Sequence, residues 1–206
     1  MTRGLFVALE GPEGAGKSTL ARVLMAQLRE QGIPALAVRE PGGTGTAEAI
    51  RRILLEHGEP LVPAGEMFLF LAARADLVAK VIRPALEAGT VVLADRYQLS
   101  TEAYQCGGRG LDRDLFLTAN RAATGGLSPD LTLVLDLPAG AGLERVRKAG
   151  KQLDRIEGAG VEFHERVVKV FHAARGPGFV HLDASQRPET VAAEAWVALR
   201  SLVAAP

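Results

Sequence analysis

The sequence has almost no cysteine, few aromatic residues and no excess of charge of either sign. Cys106 is the single cysteine among 206 residues, and aromatic residues make up 5% of the chain. Because one thiol cannot form an internal disulfide, we expect a reducing compartment, the cytoplasm. Lysine and arginine total 24, as do aspartate and glutamate, so the formal net charge is zero. This balance argues against a nucleic-acid coat protein or a polybasic membrane binder.

Long apolar runs are also lacking. The longest covers residues 67–73, whereas a membrane-spanning helix needs about 20 apolar residues. We therefore expect no membrane partner and no nucleic-acid partner. Apolar residues nevertheless form 48% of the chain, which is ordinary for a globular core. No repeat or linker divides the chain, so we predict one domain over residues 1–206.

The order of apolar segments predicts the fold class. Short apolar runs, typical of parallel strands covered on both faces, occur at Leu5–Leu9, Ala35–Val38, Val91–Ala94, Leu131–Leu135 and Phe179–Leu182, broken only by Thr132 and His181. Segments with helical spacing lie at Ser18–Gln31, Ala47–Glu56, Glu66–Ala88, Leu111–Ala123 and Glu189–Val203. This alternation predicts an α/β fold with a five-stranded parallel sheet covered by helices on both faces. Residues 139–160, rich in glycine, lysine and arginine, are expected to form a mobile excursion.

A phosphate-binding loop follows the first predicted strand. Residues 11–18 read GPEGAGKS and match the pattern G-x-x-x-x-G-K-[ST] between a strand and a helix. The glycines let successive backbone N–H groups point into one concavity, and the helix N-terminus adds positive potential. We expect Lys17 to reach the β- and γ-phosphates of a nucleoside triphosphate and the Ser18 hydroxyl to bind Mg²⁺.

This loop alone does not decide between GTPases, motor ATPases and kinases of small molecules. The Asn-Lys-x-Asp signature of GTPases does not occur in the sequence. Two alternatives remain: a kinase acting on deoxyuridine or cytidine monophosphate, or a nucleotide-dependent switch without an acceptor. The switch has no need of a second phosphate site, and the sequence contains candidates for one.

Three further clusters lie where an acceptor should bind, near the carboxyl ends of strands or on adjoining helices. Residues 39–44 (REPGGT) suit an anion or form a surface turn. Asp95 and Arg96 could organise Mg²⁺ and a second phosphate, or form a structural ion pair. Phe70 and Arg74 share one helix face, so they could stack on a base and donate to its carbonyl, or belong to the core.

Taken together, these motifs resemble those of the thymidylate kinase family. The matching stretches keep the family order: Gly11–Thr19, Arg39–Thr44, Phe70–Arg74, Asp95–Gln105, Gly107–Gly110 and Leu153–Glu157. The pair REPGGT and DRYQLSTEAYQ is specific to this family among nucleoside monophosphate kinases. The resemblance implies the P-loop nucleoside monophosphate kinase fold, a homodimer, and phosphorylation of dTMP to dTDP by MgATP in dTTP biosynthesis.

The resemblance also implies roles for individual residues. The ATP-binding residues would be Gly11, Glu13, Gly14, Ala15, Gly16, Lys17, Ser18 and Thr19. The dTMP-binding residues would be Glu13, Arg39, Phe70, Arg74, Arg96, Ser100, Thr101, Tyr104 and Gln105. Arg39 and Arg96 would hold the dTMP phosphate, while Phe70 and Arg74 would contact thymine.

Within the same set, Ser100 and Gln105 would contact the base with Thr101 alongside. Tyr104 would disfavour a ribose, and Glu13 would reach the sugar hydroxyl. Ser18 and Asp95 would hold Mg²⁺, and the catalytic residues would include Lys17, Asp95 and Arg96.

One departure from the family's P-loop pattern points to a basic lid. Some members of the family carry an arginine in the P-loop after an acidic residue, whereas Gly14 follows Glu13 here. Phosphoryl transfer needs positive charge at the transferring group, and residues 139–160 contain it: Arg145, Arg147, Lys148, Lys151 and Arg155. This resembles the bacterial type, in which a lid arginine closes over ATP. We favour Arg147 for that role, with Arg145 and Arg155 as alternatives.

Overall fold

The computed structural model describes residues 3–56, 60–148, 150, 155–156 and 158–203. The strands are β1 (Phe6–Glu10), β2 (Ala35–Arg39), β3 (Val91–Asp95), β4 (Leu131–Asp136) and β5 (Phe179–Asp183). The helices are α1 (Lys17–Glu30), α2 (Gly45–Glu56), α3 (Pro63–Leu77), α4 (Arg83–Glu87), α5 (Gln98–Thr101), α6 (Arg113–Thr124), α7 (Ala139–Lys148), α8 (Val161–Ala173) and α9 (Pro188–Val203). Two π-helical segments, Val78–Ile82 and Glu102–Gly108, continue α3 and α5.

The strands form one parallel sheet in the order β2-β3-β1-β4-β5. On one face, α1 and α9 pack through residues such as Leu24 and Leu199. On the other face, the α3–α4 region and α8 pack through residues such as Ile82 and Phe171. The predicted fold class, with helices on both faces of a five-stranded parallel sheet, is confirmed. No helix in the described part of the chain combines the length and the apolar character needed to cross a membrane.

All five predicted strands are present, and each ends one residue beyond the predicted limit, on a charged residue. These charged ends are Glu10, Arg39, Asp95, Asp136 and Asp183. In the register of the sheet, Leu9 and Arg39 both lie opposite Asp95. The carboxyl ends of β1, β2 and β3 therefore meet at one edge, where open parallel sheets bind their ligands.

Apart from shifts of one or two residues at other helix ends, and from α5 and α8, for which no bounds were predicted, three differences stand out. The helix predicted at 66–88 begins at Pro63 and changes to π-helix at 78–82, just before Pro84, which has no N–H to donate to the preceding turn. The helix predicted from Leu111 begins at Arg113, because the Asp112 carboxylate accepts the Leu115 N–H at 2.8 Å and caps it. The first ten residues of the stretch 139–160, expected to be an excursion, form α7.

Candidate active site

A cavity of about 610 Å³ opens at the carboxyl edge of the sheet. The P-loop forms one wall, and the others come from β2, β3, α2, α3, α5, α7 and the π-helical segment Glu102–Gly108. Most of the predicted site residues line this cavity: Glu13, Gly14, Gly16, Lys17, Ser18, Thr19, Arg39, Phe70, Arg74, Asp95, Arg96, Ser100, Thr101, Tyr104, Gln105 and Arg145. The fold thus brings together residues predicted from segments far apart in the sequence.

Four predicted residues do not line the cavity. Gly11 and Ala15 belong to the P-loop but lie behind its inner surface, and Arg147 is exposed on α7. Arg155 is ion-paired with Glu66 at 2.5 Å and donates to the Leu54 carbonyl. In the segment Leu153–Glu157, which resembles the family's sequence, the structure describes only Arg155 and Ile156. Lys151 also lies outside the described residues.

The P-loop is folded around its own lysine. Gly14 and Gly16 have φ angles of +68° and +96°, a left-handed region that glycine enters at little cost. The Lys17 ammonium donates to the carbonyls of Gly11 and Pro12 at 2.9 and 2.7 Å. Burial, assisted by the charge of Arg96, lowers the pKa of Lys17 to about 8. A nucleotide phosphate at this loop would restore the charged form.

Ser18 and Asp95 meet where the P-loop faces the end of β3. The Ser18 hydroxyl donates to Asp95 Oδ2 at 2.5 Å. Both side chains offer hard oxygen ligands, and Mg²⁺ in nucleotide sites usually takes one or two protein oxygens together with phosphate oxygens and water. The two residues therefore fit a magnesium ion that is shared with a bound nucleotide.

Arg96 is held in an unusual backbone conformation. It is the non-glycine residue with positive φ, +74°, in the described part of the chain, and such outliers are concentrated at functional sites. Its guanidinium contacts Glu13 at 2.6 Å and donates to Ser100 Oγ at 3.0 Å. It also lies 5.1 Å from the centre of the Tyr104 ring. This arrangement leaves Arg96 within the cavity wall, beside the P-loop.

The buried carboxylate of Glu10 fixes the loop that carries Arg96. It accepts the N–H groups of Tyr97 and Ser100 and the Ser100 hydroxyl, the last at 2.5 Å. Burial raises the pKa of the Glu10 carboxyl, while these hydrogen bonds and Arg96 oppose the rise. Since the Ser100 proton goes to Glu10, the Ser100 oxygen is left to accept from Arg96. The predicted contact of Ser100 with a base stays a prediction.

Arg74 is almost fully enclosed, with 1% of its side chain exposed. Its guanidinium donates to Glu40 Oε2, Asn120 Oδ1, the Tyr97 carbonyl and Thr101 Oγ1. Burial raises the pKa of the Glu40 carboxyl, and the charge of Arg74 opposes this rise. A guanidinium carries five N–H groups, so these four hydrogen bonds to described residues leave one Nη1–H. Since Arg74 lines the cavity, this N–H is the one that a ligand there would have to use.

Sequence reasoning missed three buried acids and one arginine. The acids are Glu10, Glu40 and Glu66. Glu10 holds Arg96 through Ser100, Glu40 holds Arg74, and Glu66 holds Gln105. Glu66, Phe70 and Arg74 follow one another at intervals of four, which places them on one helix face, and this spacing could have revealed Glu66. Arg51, on α2, lines the cavity and donates to the Pro41 carbonyl at 2.8 Å; its sequence context gave no signal.

A cavity with one anion site at the P-loop and a second near Arg39 and Arg96 suits an enzyme that moves a phosphoryl group between two nucleotides. Such enzymes are the P-loop nucleoside monophosphate kinases. The family model described as thymidylate kinase matches residues 9–195. The chain belongs to the thymidylate kinase family, whose members phosphorylate dTMP to dTDP with ATP.

Several relatives carry the same name and match nearly end to end. A thymidylate kinase from Thermomicrobium roseum is 48% identical over 201 residues, covering 96% of this chain and 95% of the relative. One from Deinococcus radiodurans is 45% identical, covering 97% and 98%. One from Pseudomonas putida is 49% identical, covering 91% of each. The family predicted from REPGGT and DRYQLSTEAYQ is therefore confirmed.

Proposed function

We propose that this chain transfers the γ-phosphoryl group of MgATP to the phosphate of dTMP, giving ADP and dTDP for dTTP biosynthesis. The observation that carries the proposal is the single cavity that joins the P-loop to an arginine-lined pocket. Phe70 and Arg74 lie at the far side of the same cavity and provide a base site. A nucleotide switch without an acceptor would have no use for the arginine-lined pocket and the base site.

The donor half binds ATP through the P-loop backbone and Lys17. Ser18 and Asp95 would hold Mg²⁺, which neutralises charge on the β- and γ-phosphates when bound. Their hydrogen bond would be replaced by contacts to the ion. Lys17 would leave the carbonyls of its own loop and turn to the phosphates, since a charged acceptor binds an ammonium more strongly than a carbonyl does.

The acceptor half binds dTMP between Arg39, Arg96 and the base site. Arg96 would share its guanidinium between Glu13 and the dTMP phosphate. The Tyr104 hydroxyl donates to Glu13 at 3.0 Å, so these two side chains together border the place proposed for the sugar. Phe70 would stack on thymine, with Arg74, Thr101 and Gln105 around the edge of the base.

The transfer itself needs no covalent intermediate with the protein. An oxygen of the dTMP phosphate forms a bond to the γ-phosphorus, and the bond from that phosphorus to the β–γ bridging oxygen breaks. The electron pair of the broken bond stays on ADP. The protein places the two reactants in line and neutralises the charge that they bring together. Arg96 and Lys17 supply positive charge side by side, since both donate to the Gly11 carbonyl, at 3.3 and 2.9 Å.

Among the three lid candidates, the geometry favours Arg145 as the arginine nearest the donor. Its Nη1 donates to the Ala184 carbonyl at 3.0 Å and approaches the Gly14 carbonyl at 3.4 Å. Arg147 is exposed outside the cavity lining, and Arg155 is bound to Glu66. We propose that residues 139–160 act as a lid based on α7, which closes over ATP and excludes water.

Apolar residues on three packed helices support a homodimer. Helix α3 packs against α2 and α6, and each helix exposes an apolar side chain: Phe68 is 51% exposed, Leu115 47% and Ile53 41%. Exposed apolar side chains on neighbouring helices are typical of surfaces that bind another protein. Light scattering on the purified chain tests this, since a dimer has twice the mass of the chain.

The decisive experiment is ADP release from MgATP with each nucleoside and deoxynucleoside monophosphate offered separately. We expect fast turnover with dTMP, slower turnover with dUMP, and negligible turnover with dCMP, dGMP and dAMP. A Lys17→Ala variant, matched by an Arg22→Ala variant on the exposed side of α1, separates turnover from folding. Slow ADP release that no acceptor accelerates would overturn the proposal.

A further inference from the structure

A buried carboxylate lies next to the base site without reaching the cavity itself. Glu66, on α3, has 1% of its side chain exposed. It accepts a hydrogen bond from Gln105 Nε2 at 2.8 Å, and it pairs with Arg109 at 3.3 Å and Arg155 at 2.5 Å. Glu66 is not among the cavity-lining residues, whereas Gln105 is. The acid therefore acts on the cavity through the amide of Gln105.

The charge state of Glu66 makes it an acceptor only. Burial alone would raise the pKa of its carboxyl. Hydrogen bonds from Gln105 and Arg155, together with the charge of Arg109, outweigh burial and hold this pKa below its usual value. An ionised carboxylate accepts hydrogen bonds and cannot donate them. The amide of Gln105 must therefore turn its NH₂ group toward Glu66.

This orientation decides which atom Gln105 presents to a base. Its Oε1 accepts no hydrogen bond within the described chain. Gln105 is 1% exposed and lines the cavity, so with its NH₂ held by Glu66 this oxygen is the polar atom that it offers to a bound base. Arg74 lines the same cavity, and its one Nη1–H without a partner among the described residues is the donor that it would offer to a base. The base site thus presents one donor and one acceptor to the edge of a bound base.

Pyrimidines differ in this pattern. Thymine and uracil carry a carbonyl acceptor at position 4 next to the N3–H donor, whereas cytosine carries an NH₂ donor next to an N3 acceptor. A site with an arginine donor and a fixed amide acceptor pairs with the first pattern and opposes the second. Were the Gln105 amide free to turn over, it could present NH₂ and satisfy cytosine N3.

We propose that Glu66 is the positioning residue that locks the Gln105 amide and thereby makes the base site exclude cytosine. This inference rests on the proposed function, because it assigns the selectivity of the same site. Glu66 touches no substrate in this account. Arg109 and Arg155 keep Glu66 ionised. Because Glu66 then binds the NH₂ of Gln105, Gln105 presents its oxygen to the base.

The test is the Glu66→Gln variant, in which an amide of the same shape can either donate to Gln105 or accept from it. We expect the ratio of kcat/KM for dTMP over dCMP to fall by about tenfold or more, roughly the worth of one wrongly paired buried group. The ratio for dTMP over dUMP should stay as in wild type, since both bases present the same edge. A general loosening of the pocket would move both ratios.

Arg109→Gln is the matched control. It removes one cation from the cluster and leaves the carboxylate facing Gln105, so both ratios should be retained even where thermal stability falls. Loss of a partner from a buried ion pair is costly, and Glu66→Gln could therefore fail to fold. Gln105→Leu then tests the second link of the inference, that the Gln105 acceptor discriminates against cytosine, and it keeps the ion pairs of Glu66. It too should lower the ratio for dTMP over dCMP.

Equal losses for dTMP and dCMP in Glu66→Gln would overturn the inference and make Glu66 a stabilising residue only. An unchanged ratio in Gln105→Leu would overturn it as well. A wild-type chain without dTMP activity would overturn the proposed function, and this outcome is seen before any variant is made. The failure of the inference and the failure of the proposed function are therefore distinguishable.

Discussion

Replacing Glu10 by glutamine should impair the use of dTMP more than it impairs folding. The Glu10 carboxylate accepts three hydrogen bonds, including the Ser100 hydroxyl at 2.5 Å. An amide keeps an oxygen for the two backbone N–H groups but turns an NH₂ toward Ser100. The Ser100 hydroxyl then has to accept a hydrogen bond from this NH₂ and must turn its own proton away from residue 10. The turned proton points toward Arg96 Nη1–H, which donates to Ser100 Oγ in the wild type.

The expected magnitude follows from these bonds. A hydrogen bond to a charged group contributes about 1.5–3 kcal/mol, and loss of this interaction in the bound state corresponds to about a tenfold to hundredfold fall in kcat/KM for dTMP. Folding should lose less, roughly 1 kcal/mol. The pKa of Glu10 is raised by burial, so neutralising the group recovers part of its desolvation cost.

Steady-state kinetics with varied dTMP, together with thermal unfolding, checks this prediction. Ser100→Ala is the companion variant, and the two changes should be strongly non-additive because they act on one chain of hydrogen bonds. A Glu10→Gln enzyme with wild-type kcat/KM for dTMP would refute the reasoning. So would additive effects in the double variant, which would mean that Glu10 does not act on Arg96 through Ser100.

Three further predictions concern the donor half. Because burial lowers the pKa of Lys17 to about 8 and phosphates raise it again, MgATP binding near pH 8.5 should take up protons; calorimetry in two buffers should show this uptake in wild type and lose it in Lys17→Met. Gly142→Ala places a Cβ against the Glu13 carbonyl and should cost about 1–3 kcal/mol in unfolding experiments, whereas Gly140→Ala, with open space around it, should not destabilise. Arg145→Met should lower kcat about tenfold more than Arg147→Met, and equal effects in stopped assays would contradict the assignment.

The sheet was predictable because its strands are short, mostly apolar runs, and the burial of the three central strands β1, β3 and β4 on both faces leaves that pattern in the sequence. The charged residue that ends each strand was not included, since a charge breaks the apolar run although it continues the hydrogen-bonded ladder. Glu10 and Asp95 show the point: both are the last residue of a strand, and Asp95 lines the cavity while the buried Glu10 supports the loop that carries Arg96.

The supporting acids were not predictable from local pattern. Glu40 and Arg74 are 34 positions apart, and Glu10 and Ser100 are 90 apart, so only the folded chain brings each pair together. The motifs predicted which residues face the cavity, because the P-loop and the REPGGT segment follow strands whose ends must meet. They gave no information on what holds Arg74, Arg96 and Gln105 in place.

The contact between the P-loop and α7 limits how this chain can supply charge to the reaction. Gly14 has positive φ, and a Cβ on it would run into the carbonyl of Gly142; a Cβ on Gly142 would run into the carbonyl of Glu13. An arginine at position 14 would therefore have to push α7 away from the loop. The two backbones exclude side chains from each other, so any arginine that reaches the donor phosphates has to come from a position outside this contact.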